Sequence, residues 1–215
     1  MKYMNKLVFL GIDLEPSIKA ADYIKKMDCD LLVSHTKREK FNNFPDEYDI
    51  GLAFMYRNLV PKKELKKACW INIHPAPLPN YGGRNVAYHA ILNKEKLFGA
   101  SIHYMSEEFD KGDMISTSQF KIPNHITANE LYDLSCKESL KILNNFLPRI
   151  LSGEKFKGKK QFEHKYYEKC KINDFIELDE ELKRKVRALY CPPYYPKIKI
   201  GDRNFNIVLE NKNEL

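Results

Sequence analysis

Apolar positions fall into two alternating rhythms along this chain. Short, largely apolar runs at residues 6–11, 30–34, 48–54 and 69–73 read as buried strands. Between them, residues 14–27 place Ile18, Ala21 and Ile24 at helical spacing, with Pro16 tolerable only in the first turn. Residues 60–67 predict a second helix with Pro61 near its first position, and residues 37–47 a polar loop. Strands alternating with helices in this way predict a parallel sheet with crossover helices. A helix over 85–93, strands over 98–105 and 114–122, and a long helix over 127–151 follow. Thr127 with Glu130 three residues on is a capping box, and Ser152-Gly153 ends that helix. Beyond it the pattern loosens into a helix over 179–189 and a hairpin over 197–208 turning at Gly201-Asp202. The expected architecture is an α/β domain over residues 1–155, with a mostly parallel sheet and flanking helices, and a small C-terminal α+β hairpin subdomain over 156–215. The boundary is placed between 152 and 165. There is no internal repeat.

Composition adds little and excludes some classes. A chain of 215 residues with 43% hydrophobic content, 12 Phe and 13 Tyr can bury a core without staples. The early apolar run at 7–10 is too short for a signal peptide or a membrane span. The five cysteines contain no CxxC pair, which suits a reducing compartment and argues against a disulfide framework or a zinc site. The expectation is a cytoplasmic protein with no membrane partner. The net charge of +7 comes from scattered lysines, densest at Lys155 to Lys160. That reads as a solvated surface attractive to small anions rather than as a nucleic-acid interface.

The sharpest break in pattern is at the end of the fourth strand. In Trp70-Ile-Asn-Ile-His-Pro-Ala-Pro-Leu-Pro79 an apolar run stops at a carboxamide, an imidazole and three prolines. Ligands of open parallel sheets gather at the carboxyl ends of strands. That places Asn72 and His74 beside Phe54-Met-Tyr-Arg-Asn58, which follows the third strand. Asp110 comes later, in Glu107-Glu-Phe-Asp-Lys-Gly-Asp-Met-Ile115. An amide donor, a proton carrier and a carboxylate to orient it are the parts of an acyl-transfer site. Each alone has a plainer reading. His74 can be a loop histidine, Asn72 a turn amide, and Asp110 a turn former ahead of Gly112. Their joint pattern with Gly82-Gly83 carries the argument. No GxSxG elbow, Walker loop or GxGxxG is present, and the other histidines show no metal-ligand spacing. His103 reads as a core or supporting histidine, and Asp113 as structural.

These motifs resemble the folate-dependent formyltransferases, whose pattern is Asn-x-His-Pro-Ser-Leu-Leu-Pro, then Gly, then Asp-x-Gly. The resemblance covers roughly residues 48–150. Here Ala76-Pro77 stands for the usual Ser-Leu, a change on the loop that leaves Asn72, His74 and Asp110 intact. It implies a Rossmann-like formyltransferase fold and N10-formyltetrahydrofolate as formyl donor. An amine would attack directly through a tetrahedral intermediate served by Asn72, His74 and Asp110. Tyr56, Arg57 and Leu59 correspond to the loop whose backbone binds the pterin, and Glu107 to Asp110 to the opposite wall.

The acceptor follows from the rest of the chain. A methionyl-tRNA enzyme is expected to carry a C-terminal barrel of about a hundred residues, whereas about fifty follow residue 165. A glycinamide ribonucleotide enzyme is expected to carry an N-terminal glycine-rich phosphate loop, whereas Leu10-Gly-Ile-Asp-Leu14 has one glycine and an aspartate. Lys185-Val-Arg-Ala-Leu-Tyr-Cys-Pro-Pro-Tyr-Tyr195 is similar to the ending of the sugar N-formyltransferases. The resemblance implies that Arg187 pairs with a diphosphate, Tyr194 or Tyr195 stacks on a base, and Arg84 and Asn85 line a sugar pocket. A small hydrophobic hairpin core is the competing reading of the tyrosines. The expected partner is a nucleotide-linked 4-amino-4,6-dideoxyhexose, dTDP-linked in preference to UDP-linked, in surface polysaccharide biosynthesis, with a homodimer joined through the C-terminal part. The alternatives are a methionyl-tRNA or glycinamide ribonucleotide formyltransferase, or a catalytically silent folate- or nucleotide-binding module.

Overall fold

The computed structural model describes residues 5–169, 178–189, 191 and 195–207. The chain opens with β1 (Lys6–Leu10), α1 (Glu15–Lys25), β2 (Asp30–His35) and β3 (Ile50–Phe54). Next come α2 (Lys62–Lys67), β4 (Cys69–His74), the two-residue β5 (Gly82–Gly83) and α3 (Val86–Leu92). The antiparallel strands β6 (Leu97–Tyr104) and β7 (Met114–Lys121) precede the long α4 (Ala128–Leu151) and the short β8 (Tyr166–Tyr167). The last elements are α5 (Glu180–Leu189), β9 (Lys197–Ile200) and β10 (Arg203–Asn206). Most lie within two residues of their sequence expectation. Pro16 sits in the first turn of α1. The Thr127–Glu130 capping box forms in both directions, satisfying donors that a helix start would leave unpaired. Pro61 takes the N-cap of α2 rather than its first helical position.

Six strands make one sheet in the order β2-β1-β3-β4-β6-β7. The first four run parallel; β6 and β7 are antiparallel to their neighbours. The sheet is therefore mostly parallel with flanking helices, as the alternation of strands and helices predicts. Side chains alternate across it. Leu7, Phe9, Leu52, Phe54, Ile71 and Ile73 point to one face, where Ala20, Ala21 and Ile24 of α1 and Leu143, Leu147 and Ile150 of α4 close the main core. The other face holds a smaller cluster of Val8, Leu10, Tyr48, Val60 and Trp70. On this second face β4 reads Trp70, Asn72, His74: apolar at its base, polar at its carboxyl end. Gly51 makes the arrangement possible, because a Cβ there would lie 2.1 Å from the Trp70 ring. The indole Nε1–H donates to the Glu64 carbonyl at 3.1 Å.

The chain divides into two compact units, residues 1–122 with 127–170 and residues 123–126 with 171–215. The break falls later than the expected 152–165. Residues 156–169 return to the first unit, where Lys159 bridges Met114 and β8 pairs with β5. No periodicity announces this return, since it consists of isolated backbone pairings. In the second unit β9 and β10 form the expected hairpin, with Gly201 at φ +63° in the turn. None of the described residues of α5 is buried.

Gly51→Ala should destabilise the protein by about 1–3 kcal/mol through overpacking. The fluorescence of Trp70, the chain's single tryptophan, makes the shift readable in a urea titration.

Candidate active site

The site begins with strand register. The antiparallel pairing of β4 with β6 sets Asn72 opposite His103 and His74 opposite Ser101. Period-two alternation then puts Asn72 and His74 on one face. Asn72 Nδ2 donates to His103 Nε2 at 3.1 Å, and His103 Nδ1–H donates to the Tyr104 carbonyl at 2.7 Å. These two bonds settle the tautomer of His103: protonated on Nδ1, accepting on Nε2. Burial holds this imidazole neutral, pushing its pKa down to about 4 against the opposing pull of Asp110. Its contact with the Asp110 carboxylate at 3.9 Å is therefore a packing contact near neutral pH and not an ion pair. The second amide proton of Asn72 has no acceptor among the described residues, and its Oδ1 is buried without a partner.

His74 is held from the other side. Its Nε2–H donates to the Tyr81 carbonyl at 2.8 Å. That leaves Nδ1 as the nitrogen that takes up or releases a proton, and Nδ1 faces Asp110 Oδ1 at 3.6 Å. The other carboxylate oxygen, Oδ2, accepts from the Gly83 backbone N–H at 2.9 Å. Burial raises the Asp110 pKa, but the His74 and His103 imidazoles, the Gly83 N–H and His164 outweigh it and hold the carboxyl below its usual range. Asp110 adopts φ +56°, in the left-handed region where a side chain is disfavoured. Two residues later, a Cβ at Gly112 would lie 1.7 Å from the Tyr104 carbonyl oxygen.

Ser101 anchors the proline loop. Its hydroxyl donates to the Ala76 carbonyl at 2.8 Å and accepts from the Leu78 N–H at 2.9 Å, fully buried. Sequence reading did not single it out, because its partners are more than twenty residues away and appear only once β4 and β6 are paired. The same holds for Gln161 and His164, which residues 156–169 bring back to the first unit. Both ring nitrogens of His164 are buried without a hydrogen-bond partner, and its Nε2 lies 2.5 Å from where a Gly82 Cβ would be.

Asn72, His74 and Asp110 thus converge with His103, Ser101 and Gly83. The other expected contacts are more dispersed. The Tyr56 hydroxyl accepts from the Phe41 N–H at 2.8 Å, and its ring meets His35 edge-on, so this side chain is committed to packing. Arg57 and Leu59 are exposed. Glu107 pairs with Lys62 at 2.7 Å, tying the loop after β6 to the start of α2 and so to the loop after β3. Arg84 is exposed, and Asn85 takes φ +53° as the N-cap of α3. Arg187 and Tyr195 lie in the second unit, and Tyr194 lies outside the described residues. Among the described residues no cluster could hold a metal ion, and no helix is long and apolar enough to cross a membrane.

An open α/β sheet carrying an amide, an imidazole and a carboxylate at a strand end is the framework of an acyl-transfer protein. Residues 43–147, just under half of the chain, match the family model described as formyl transferase. It is 33% identical to the methionyl-tRNA formyltransferase of Clostridium novyi over 54% of this chain and 38% of that one. It is 26% identical to the GDP-perosamine N-formyltransferase of Brucella melitensis over 91% of this chain and 82% of that one. The chain spans 23%, 38% and 63% of the length of three curated relatives that it matches at 30%, 33% and 30% identity. Its fold is similar to that of the N-formyltransferase of Helicobacter canadensis solved with folinic acid and dTDP-3-aminofucose. That match has a TM-score of 0.67 and 18% identity, covering 87% of this chain and 80% of that one.

Two outcomes follow for the site. Ser101→Ala leaves a buried N–H and a buried C=O unpaired and should cost about 2 kcal/mol, measured by urea denaturation. Asp110 has a folded pKa below its unfolded value of 3.8. Its contribution is therefore present above that value and lost as pH falls through the folded pKa. The stability gap between the wild type and Asp110→Asn should accordingly shrink in denaturation curves taken from about pH 5 down to about pH 2.

Proposed function

We propose that this protein transfers the formyl group of N10-formyltetrahydrofolate to the amine of a nucleotide-linked amino sugar, with a dTDP-4-amino-4,6-dideoxyhexose as the leading candidate. The observation that carries the reading is the convergence of Asn72, His74 and Asp110 at the end of β4. The folate is a consumed substrate that supplies the activated formyl carbon. The residues present suit it. Among the described residues Asn72 makes one hydrogen bond through Nδ2, which leaves its second amide proton for an incoming oxygen, and exposed Leu59 and Phe109 offer apolar surface on the two loops that the Lys62–Glu107 pair ties together.

The neutral amine of the acceptor attacks the formyl carbon, a C–N bond forms, and negative charge develops on the formyl oxygen. Asn72 donates its free amide proton to that oxygen, a contribution of about 3–4 kcal/mol for a well-placed donor. His74, fixed by the Tyr81 carbonyl, presents Nδ1 to the proton that the attacking nitrogen must lose, and Asp110 orients the ring. As the bond from carbon to the folate nitrogen breaks, that nitrogen takes back a proton.

The acceptor rests on two comparisons. The perosamine enzyme is matched along most of both chains. A solved neighbour of like fold was crystallised with a dTDP-linked amino sugar, and another with a UDP-linked formamido sugar. Arg84 and Asn85 at the start of α3, with Arg187, Tyr194 and Tyr195, are the proposed sugar-nucleotide contacts. The resemblance also supports a cytoplasmic homodimer joined through the C-terminal part.

Incubation with N10-formyltetrahydrofolate and a panel of dTDP-, UDP- and GDP-amino sugars should add the mass of one formyl group to a dTDP sugar. Product from charged tRNA and from no sugar would overturn the acceptor. Asn72→Ala, His74→Ala and Asp110→Ala should each lower kcat at least about tenfold, or about 1.4 kcal/mol. Near-normal turnover by a folded His74→Ala variant would remove it from the mechanism.

A further inference from the structure

The segment that leaves α4 crosses back over both loops of the site. Lys159 and Met114 exchange backbone hydrogen bonds, each at 2.8 Å. Two residues on, Gln161 Nε2 donates to the Asp110 carbonyl at 2.8 Å and to the Gly112 carbonyl at 2.7 Å. The segment then joins the other loop. The Lys165 N–H donates to the Pro79 carbonyl, the Gly82 N–H to the Lys165 carbonyl, and the Arg84 N–H to the Tyr167 carbonyl, at 2.9, 3.0 and 2.8 Å. One strap is therefore bonded both to the loop carrying Tyr81, which holds His74, and to the turn carrying Asp110.

That turn needs a clamp. Asp110 is at φ +56°, a conformation unfavourable for a residue with a side chain. The Asp110 carboxylate must nevertheless keep Oδ2 on the Gly83 N–H while Oδ1 faces His74. The geometry points to Gln161 as the positioning residue for Asp110: its amide grips the carbonyls on both sides of Lys111 and so fixes the turn that aims the carboxylate. Gln161 touches neither His74 nor Asn72 through any hydrogen bond of the described residues, so it acts through Asp110. The inference rests on the formyl-transfer reading for its kinetic consequence, though not for its electrostatic one.

The test uses Gln161→Met, which keeps the length and removes both donors, and Gln161→Glu, which keeps the shape and sets oxygens against the two carbonyls. Gln161 is only half-buried, so both variants are expected to fold. Two quantities are read: steady-state kinetics with N10-formyltetrahydrofolate and the accepted sugar, and the pH titration of the Asp110 carboxyl carbon by NMR, assigned through its loss in Asp110→Asn. Both variants should lower kcat at least about tenfold with the KM for the folate held within about twofold, since a misaimed group costs rate rather than binding. The carboxyl midpoint should rise toward that of a free aspartate as the Gly83 and His74 contacts loosen. Unchanged kcat with an unchanged midpoint would overturn the proposal. So would a fall in kcat that tracks a lowered melting temperature while the midpoint stays put, because that is a purely structural role. If the wild type formylates no acceptor, the functional reading fails. The carboxyl titration of the variants then decides the place of Gln161 by itself.

Discussion

The antiparallel pairing of β4 with β6 is the constraint on which the rest of the site depends. It places Asn72 against His103 and His74 against Ser101. From those two pairs come the tautomer of His103, the aim of the Asn72 amide and the anchoring of the proline loop. A slip of one residue in this register would reverse every side chain and turn Asn72 and His74 toward the apolar core. Ile71 and Ile73, buried on the opposite face, oppose that slip. Core packing and site geometry are thus settled by one register.

Polar groups in this site are held by backbone as much as by each other. The Tyr81 carbonyl fixes His74, the Gly83 N–H fixes Asp110, and the Tyr104 carbonyl fixes His103. A backbone partner cannot change rotamer, so each side chain is aimed before any ligand arrives. This preorganisation is what makes a hydrogen-bond donor effective on a developing charge. Among the described residues, Asn72, His89, Gln161 and His164 each keep a buried polar atom without a hydrogen-bond partner.

Much of this was legible in the chain. The strand at 69–73 showed its polar end because the apolar run stops abruptly at Asn72 and His74, and Asp110 showed itself through the glycine that follows its turn. The capping box at Thr127 was legible because it needs only residues three apart. Ser101, Gln161 and His164 were not. The hydrogen-bond partners of Ser101 and Gln161 lie at least sixteen residues away in the chain, and a serine in a strand or a glutamine in a lysine-rich loop has no local signature. Tyr56 was legible as a loop residue, but its side chain turns into packing with Phe41 and His35 instead of standing free.

Sequence alone therefore determined the element order, the two faces of the sheet and the identity of the polar trio, because these are written in local periodicity and short motifs. Only the tertiary structure decided which oxygen of Asp110 meets Gly83, which nitrogen of His74 is free, and that residues 156–169 return to clamp the site. Those outcomes arise from hydrogen bonds between residues 7 to 86 positions apart. Such bonds depend on how the loops are brought together, and no local periodicity records them.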